Sequence, residues 1–273
     1  AEGLQQRWRQ LRQPFPRLRR LRRAVAPEMP GADDAADVAR PFEAELLASL
    51  SDLPITTLVQ NINDERTNRI LGATNRVLLG EGVIRDKIHE LEFEISPLSF
   101  FQNNPSQTDV LYSKALEYSE LTGNETVFDI YCGIGTISLF LAGKAAKVVG
   151  IESVESAISD ARRNAALNGI EHTEFHVGKA EQLMPELHAQ GVTADVVVLD
   201  PPRKGCDKAV LQTLVAMAPR RLVYVSCNPQ TLARDLAWLV KQGFVLDEVQ
   251  PVDMFPHSMH VEAVARLSLP AKD

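Results

Sequence analysis

Reactive side chains in this chain gather where short apolar runs begin or end. One run closes on Ser226-Cys227-Asn228-Pro229, with a helical period starting near Thr231. A thiol just ahead of a helix start sits where the helix dipole favours thiolate. Cys132 and Cys206 lack that setting and read as small buried hydrophobes. The last apolar run opens with Pro256-His257-Ser258-Met259-His260-Val261-Glu262. Glu262 stands in a strand pattern with Val261, Ala263, Val264, Ala265 and Leu267, where a carboxylate is costly unless used or solvated. His257 and His260 are rival bases, and His257 reads more simply as a polar residue at a rim. A cysteine with a separate base is the equipment of covalent catalysis followed by proton abstraction.

A second set of run ends suits a nucleoside. The segment Asp129-Ile130-Tyr131-Cys132-Gly133-Ile134-Gly135-Thr136 puts two glycines between a strand and a helix, so the backbone can turn tightly and approach a ligand. It lacks the third glycine of the dinucleotide fingerprint and has no Walker lysine, so phosphate is not the obvious guest. The next strand ends in Glu152, an acid able to accept from two ribose hydroxyls. In this order the loop and the acid favour S-adenosylmethionine over the plainer reading, a generic strand–turn–helix with a surface glutamate. A further strand ends in Asp200-Pro201-Pro202-Arg203-Lys204-Gly205. Enzymes that methylate amines of adenine or cytosine carry a similar tetrad ending in an aromatic residue. Arg203 in the aromatic's place weakens that reading and leaves Asp200 to hydrogen-bond the polar edge of a base. C5 of uracil fits the cysteine and base better. It is too weak a nucleophile to attack a methyl sulfonium unaided, and thiolate addition to C6 turns it into an enolate carbon. The C5 proton must then leave before the cysteine can be eliminated.

Positioning these ends calls for a covered sheet. From Glu125 onward VFDIYC, KVVGIE, TEFHVG, DVVVLD and RLVYVSC read as strands apolar on both faces, alternating with helical segments such as 154–167 and 231–241. That pattern means a mainly parallel sheet with helices on each side, which binds ligands at the carboxyl ends of its strands. FVLDEV and an alternating strand over 260–267 follow. The expected fold is therefore α/β and Rossmann-like over 108–273, preceded by a small antiparallel α+β region over 42–107. That region should hold a helix over 42–50, strands over 55–62, 69–72, 76–79 and 88–95, and a turn-rich stretch over 96–108. A helix over 108–121 should open the sheet domain. Residues 1–41, with Pro14, Pro16, Pro27 and Pro30, read as a tail or linker.

Composition narrows the class. Apolar residues make up 45% and charged residues 24%, an ordinary globular balance. No apolar run reaches the roughly eighteen residues of a membrane span, and the basic start has no apolar signal-peptide core behind it. Three cysteines without CxxC or Cys/His spacing suit a reduced cytoplasm and offer no metal site. The net charge of −7 argues against nucleic acid, but residues 1–23 hold eight arginines against Glu2, so +7 sits there and −14 elsewhere. That arm reads either as a handle for phosphates or as a poorly ordered end.

Taken together, SPLSFFQNNPSQT, FDIYCGIGTISL, VLDPPRKG, YVSCNPQTLARDL and DMFPHSMHVE resemble the RNA 5-methyluridine methyltransferases. That family modifies uridines in bacterial large-subunit ribosomal RNA and in the tRNA T-loop. The resemblance covers the chain from Glu43 to Leu267. It implies that Cys227 is the nucleophile and Glu262 the base, with Gln102, Tyr131, Glu152 and Asp200 lining the cofactor and uracil pocket. Thr136 and Lys179 are further cofactor candidates, and Phe100 or Phe101 would stack on a flipped base. It also implies S-adenosylmethionine as cofactor and RNA as partner, with 23S ribosomal RNA ahead of tRNA. A cytoplasmic monomer is expected, and the cysteine spacing and the lack of long apolar runs add no metal and no membrane. The β-barrel RNA-binding domain and iron–sulfur cysteines of many relatives have no counterpart in these 273 residues, and residues 1–40 match nothing in the family. Two rivals are an amine methyltransferase independent of Cys227 and a non-catalytic RNA-binding module on a relic fold.

Overall fold

The helix read from Phe42 begins further upstream. Helix α1 covers Ala35–Leu50 in the computed structural model, which describes residues 35–63, 70–72 and 74–270. Residues 1–34 of the expected tail lie outside the described residues, as does Arg69; the described positions 70–72 form no strand. The chain divides into two compact units, one ending at Gly82 and the other beginning at Val83.

In the first unit β1 (Leu58–Ile62) and β2 (Thr74–Leu79) pair antiparallel. Asn61 ties the base of this ribbon: its amide donates to the Gly72 carbonyl at 2.8 Å, and its Oδ1 accepts from the Gly72 N–H at 2.7 Å. Arg76 on β2 reaches Glu43 on α1 at 2.6 Å.

The second unit opens with a hairpin, β3 (Ile84–Ile88) and β4 (Leu91–Ile95). The stretch 88–95, expected as one strand, is thus broken by a tight turn in which His89 takes a φ of 52°. Then follow α2 (Pro105–Ser119), β5 (Thr126–Ile130), α3 (Thr136–Ala142), β6 (Lys147–Glu152), α4 (Glu155–Leu167), β7 (Thr173–Val177) and α5 (Ala180–Ala189). The unit continues with β8 (Val196–Leu199), α6 (Lys208–Met217), β9 (Arg221–Ser226), α7 (Pro229–Lys241), β10 (Val245–Val252) and β11 (Glu262–Ser268).

Among the described residues, seven of these strands form one sheet in the order β10-β11-β9-β8-β5-β6-β7. Strands β5 to β9 run parallel, while β11 pairs antiparallel with β9 and β10 antiparallel with β11. The fold is α/β with a mostly parallel central sheet. Alternate residues feed two apolar layers, Val127, Val198, Val225 and Val264 on one side, Phe128, Leu199, Tyr224 and Ala265 on the other. Burial on both faces is why these strands are almost wholly apolar. From β5 the chain steps outward through β6 and β7, then returns to β8 on the other side. That reversal opens a crevice at the carboxyl ends of β5 and β8. The β3–β4 hairpin is clipped to α4 by amide side chains: Asn164 accepts from the Glu94 N–H at 2.8 Å, and Asn168 accepts from the Glu92 N–H at 2.9 Å. Among the described residues no helix is long and apolar enough to cross a membrane.

Candidate active site

The glycine loop after β5 is shaped by backbone conformation. Tyr131, Gly133 and Gly135 have φ of 70°, 55° and 83°. The Tyr131 and Cys132 N–H groups donate to the Ile151 carbonyl at 2.8 and 3.1 Å, folding the loop over the end of β6. At Gly135 an added Cβ would lie 3.2 Å from Ala161 and 3.3 Å from Phe175, so the glycine lets the loop pack inward. At Gly133 an added Cβ would meet nothing within 4 Å, and this residue lines the cavity. Beneath the loop Asp129 is fully buried, its Oδ2 2.5 Å from Ser138 Oγ and its Oδ1 without a partner among the described residues. Burial pushes its carboxyl up to about 7, against the opposing pull of the Ser138 bonds. Glu152 at the tip of β6 is steadied through Oε1, which accepts from the Val154 N–H and Ser153 Oγ, each at 2.9 Å.

On the other side of the crevice, β9 and β11 bring the thiol and the acid together. Their antiparallel register pairs Ala263 with Ser226, so the next step sets Glu262 beside Cys227. Cys227 is half-buried and Glu262 buried. Asn228 caps α7, its Oδ1 accepting from the Gln230 N–H at 3.1 Å. The Asn104 amide donates to the Met254 carbonyl at 3.0 Å, linking the turn that carries Phe100 and Gln102 to the loop leading into β11.

A cavity of about 680 Å³ gathers most of the candidates: Phe100, Gln102, Tyr131, Glu152, Lys179, Asp200, Cys227 and Glu262. Two candidates stand elsewhere. The Thr136 hydroxyl, at the start of α3, lies 2.9 Å from the Tyr112 hydroxyl, and Phe101 packs on the core with its ring 5.9 Å from Phe93. Phe100, 72% exposed, is the aromatic at the cavity. The walls also include Arg203, read from sequence only as standing in an aromatic's place, and Lys204, Asp207 and Glu181, which the sequence did not mark as site residues. Their signal was position alone: each follows a strand end already marked by Asp200 or Lys179.

Electrostatics correct one expectation. Burial, then the charges of Glu262 and Asp200, pushes the Cys227 thiol above its ordinary value. Arg203 and a backbone hydrogen bond pull the other way and lose. Burial in a crevice shared with two carboxyls thus works against the thiolate that a helix start favours. Burial likewise raises Glu262, opposed by Arg203, and it raises Asp200 well above the usual carboxylate range, with Glu262 and Asp129 adding to the shift. The site therefore combines a shielded thiol, two carboxyls biased toward protonation, a guanidinium, and a glycine-lined shelf ending in a steadied carboxylate.

Comparison with known proteins points to one family. A family model described as tRNA (uracil-5-)-methyltransferase matches residues 80–269. An uncharacterized RNA methyltransferase of Listeria innocua is 53% identical over 84% of this chain and 51% of its own length. One of Oceanobacillus iheyensis is 58% identical over 79% of this chain and 47% of its own. The chain thus spans about half the length of these curated relatives. Among solved structures, the tRNA (uracil-54, C5)-methyltransferase of Pyrococcus abyssi, in complex with S-adenosyl-L-homocysteine, superposes with a TM-score of 0.68. It is 34% identical, over 80% of this chain and 52% of that one.

Proposed function

The chain belongs to the tRNA (uracil-5-)-methyltransferase family, and from that premise we propose that it methylates C5 of a uridine in RNA, using S-adenosylmethionine and a covalent cysteine. The observation that carries this reading is the juxtaposition of Cys227, just after β9, and Glu262, at the start of the neighbouring β11, in one cavity with Glu152 and Asp200.

The cofactor end fits a nucleoside. Gly133 leaves room that a side chain would fill, and the Glu152 carboxylate has acceptor capacity beyond its two Oε1 bonds for ribose hydroxyls. Gln102, Tyr131 and Lys179 line the remaining wall. When bound, S-adenosylmethionine supplies an electrophilic methyl group. The chain's own residues prepare the carbon that receives it. Phe100, exposed at the mouth, offers a stacking face for a flipped base. Asp200, biased toward its protonated form, can donate to a uracil carbonyl. Cys227 Sγ adds as thiolate to C6, placing the electron pair on C5 and the adjacent carbonyl; Arg203 and the backbone N–H favour that thiolate. Once C5 is methylated, Glu262 takes the C5 proton, the C5–C6 double bond re-forms, and Sγ leaves.

We place the target uridine in 23S ribosomal RNA, on the resemblance carried by the catalytic segments. A second reading, a tRNA uridine, is favoured by the likeness to the Pyrococcus abyssi enzyme. Both are tested by incubating the protein with labelled S-adenosylmethionine and total RNA lacking 5-methyluridine, followed by nucleoside mass spectrometry and mapping. Labelled 5-methyluridine in the 23S fraction is expected. Label confined to tRNA would transfer the assignment, and label in methylated adenine or cytosine would refute the uracil reading.

A further inference from the structure

We propose that Asp235 is a positioning residue: its buried carboxylate joins β9, α7 and the 200–207 turn into one unit that fixes Arg203 beside Cys227 and Glu262. This rests on the uracil chemistry proposed above. Asp235 is 1% exposed. Its Oδ2 accepts from the Cys206 N–H at 2.9 Å, in the turn, and from the Tyr224 hydroxyl at 2.7 Å, on β9. Its Oδ1 is held by Arg234 Nε at 2.8 Å, and Arg234 Nη2 donates onward to the Lys204 carbonyl at 2.9 Å. Asn228 Nδ2 and Thr231 Oγ1 both donate to the Arg203 carbonyl, at 3.0 and 3.2 Å. The carbonyls of 203 and 204 and the N–H of 206 are therefore all held by side chains of α7 and its cap.

Gly205 admits this latch. It has a φ of +78°, and an added Cβ would lie 2.5 Å from Arg234 Nη2 and 2.6 Å from Asp235 Oδ2. The backbone that carries Arg203 is thus pinned to the helix that begins just after Cys227. Arg203 lines the cavity with Cys227 and Glu262, and its positive charge favours the ionised form of both. The other charged neighbours acting on the thiol, Glu262 from β11 and Asp200 from the end of β8, oppose ionisation. Loosening the turn removes the favourable charge and leaves the unfavourable ones.

The test measures Cys227 alkylation by iodoacetamide against pH, read by peptide mapping so that the buried Cys132 and Cys206 are counted separately. Wild type is compared with Asp235→Asn, Arg234→Gln and Gly205→Ala. Each variant is expected to move the Cys227 midpoint upward by about half a pH unit, through the weakened guanidinium contribution. Each should also lower kcat for 5-methyluridine on the order of tenfold while cofactor affinity stays within about twofold. Should Asp235→Asn not fold, Arg234→Gln decides, because that side chain is half exposed. Alkylation curves that overlay wild type in the folded variants overturn the proposal, as does a loss of kcat that merely follows loss of folded protein. If wild type forms no 5-methyluridine, the uracil reading fails on its own, and the alkylation curves still judge the latch.

Discussion

Cys227 is reactive in the proposed chemistry yet shielded in the structure, and the two facts lead to a pH dependence. Its thiol is raised by burial and by the carboxyls of Glu262 and Asp200. A raised acid pKa makes the reactive anion scarce below the ordinary value and brings it in as pH climbs past it. Alkylation of Cys227 in the ligand-free protein should therefore still be rising at pH 9, the ordinary thiol value, and Glu262→Gln should shift the curve to lower pH. A wild-type midpoint below pH 9 would contradict this electrostatic picture. Glu152 gives a second prediction at the same scale. Replacing it with alanine should weaken S-adenosylmethionine binding by about 1.5–3 kcal/mol, the worth of hydrogen bonds to a charged group. Unchanged affinity by calorimetry would remove it from the site. Some residue choices could not be read in advance. Phe100 and Phe101 are adjacent and chemically identical, and only the turn decides that one meets Phe93 while the other borders the cavity. Thr136 looked available until the fold brought Tyr112 to its hydroxyl.

At the scale of elements, legibility followed burial. Runs such as Val196–Leu199, wholly buried, have no place except inside a covered sheet, so the parallel strands and the ligand-bearing ends were readable from sequence. Surface elements were harder. The turn splitting β3 from β4 uses His89 and Glu90 without glycine, proline or asparagine, and apolar residues recur on both sides of it. Helix α1 begins in an Ala-rich stretch without an apolar period, and its first residues, Pro41 among them, fall within the stretch read as a tail or linker. Element anchoring makes its own prediction at Glu125, just before β5. Burial there pushes its carboxyl up, but the Thr122 hydroxyl and N–H, with Arg220 at 2.6 Å, outweigh it and bring the carboxyl down to about 2. A depressed folded value stabilises above the unfolded one and is lost as pH falls. The stabilisation should therefore be full above about pH 5 and drain away toward pH 2. Glu125→Gln should cost about 1.5–3 kcal/mol in urea unfolding at pH 7 and show a flatter acid limb. Equal acid sensitivity in the variant would refute this anchoring.

For the molecule as a whole, the unsolved balance is charge. The proposed substrate is a polyanion, yet the net charge is −7, and eight of the chain's arginines lie within residues 1–23. Deleting 1–23 should leave methylation of a short stem-loop at low salt nearly intact while flattening the salt dependence of RNA binding. Loss of cofactor binding on deletion would instead make the arm part of the folded site. The claim on which everything else depends is the covalent step at Cys227, and RNA carrying 5-fluorouridine at the target position tests it most directly. Fluorine cannot leave C5 as a cation, so Glu262 has no proton to take and Sγ cannot be eliminated. Wild type should give a slow-migrating protein–RNA species on a denaturing gel, mapped by peptide analysis to Cys227 and absent from Cys227→Ala. An adduct on Cys132 or Cys206, or 5-methyluridine formed by Cys227→Ala on ordinary RNA, would contradict the mechanism.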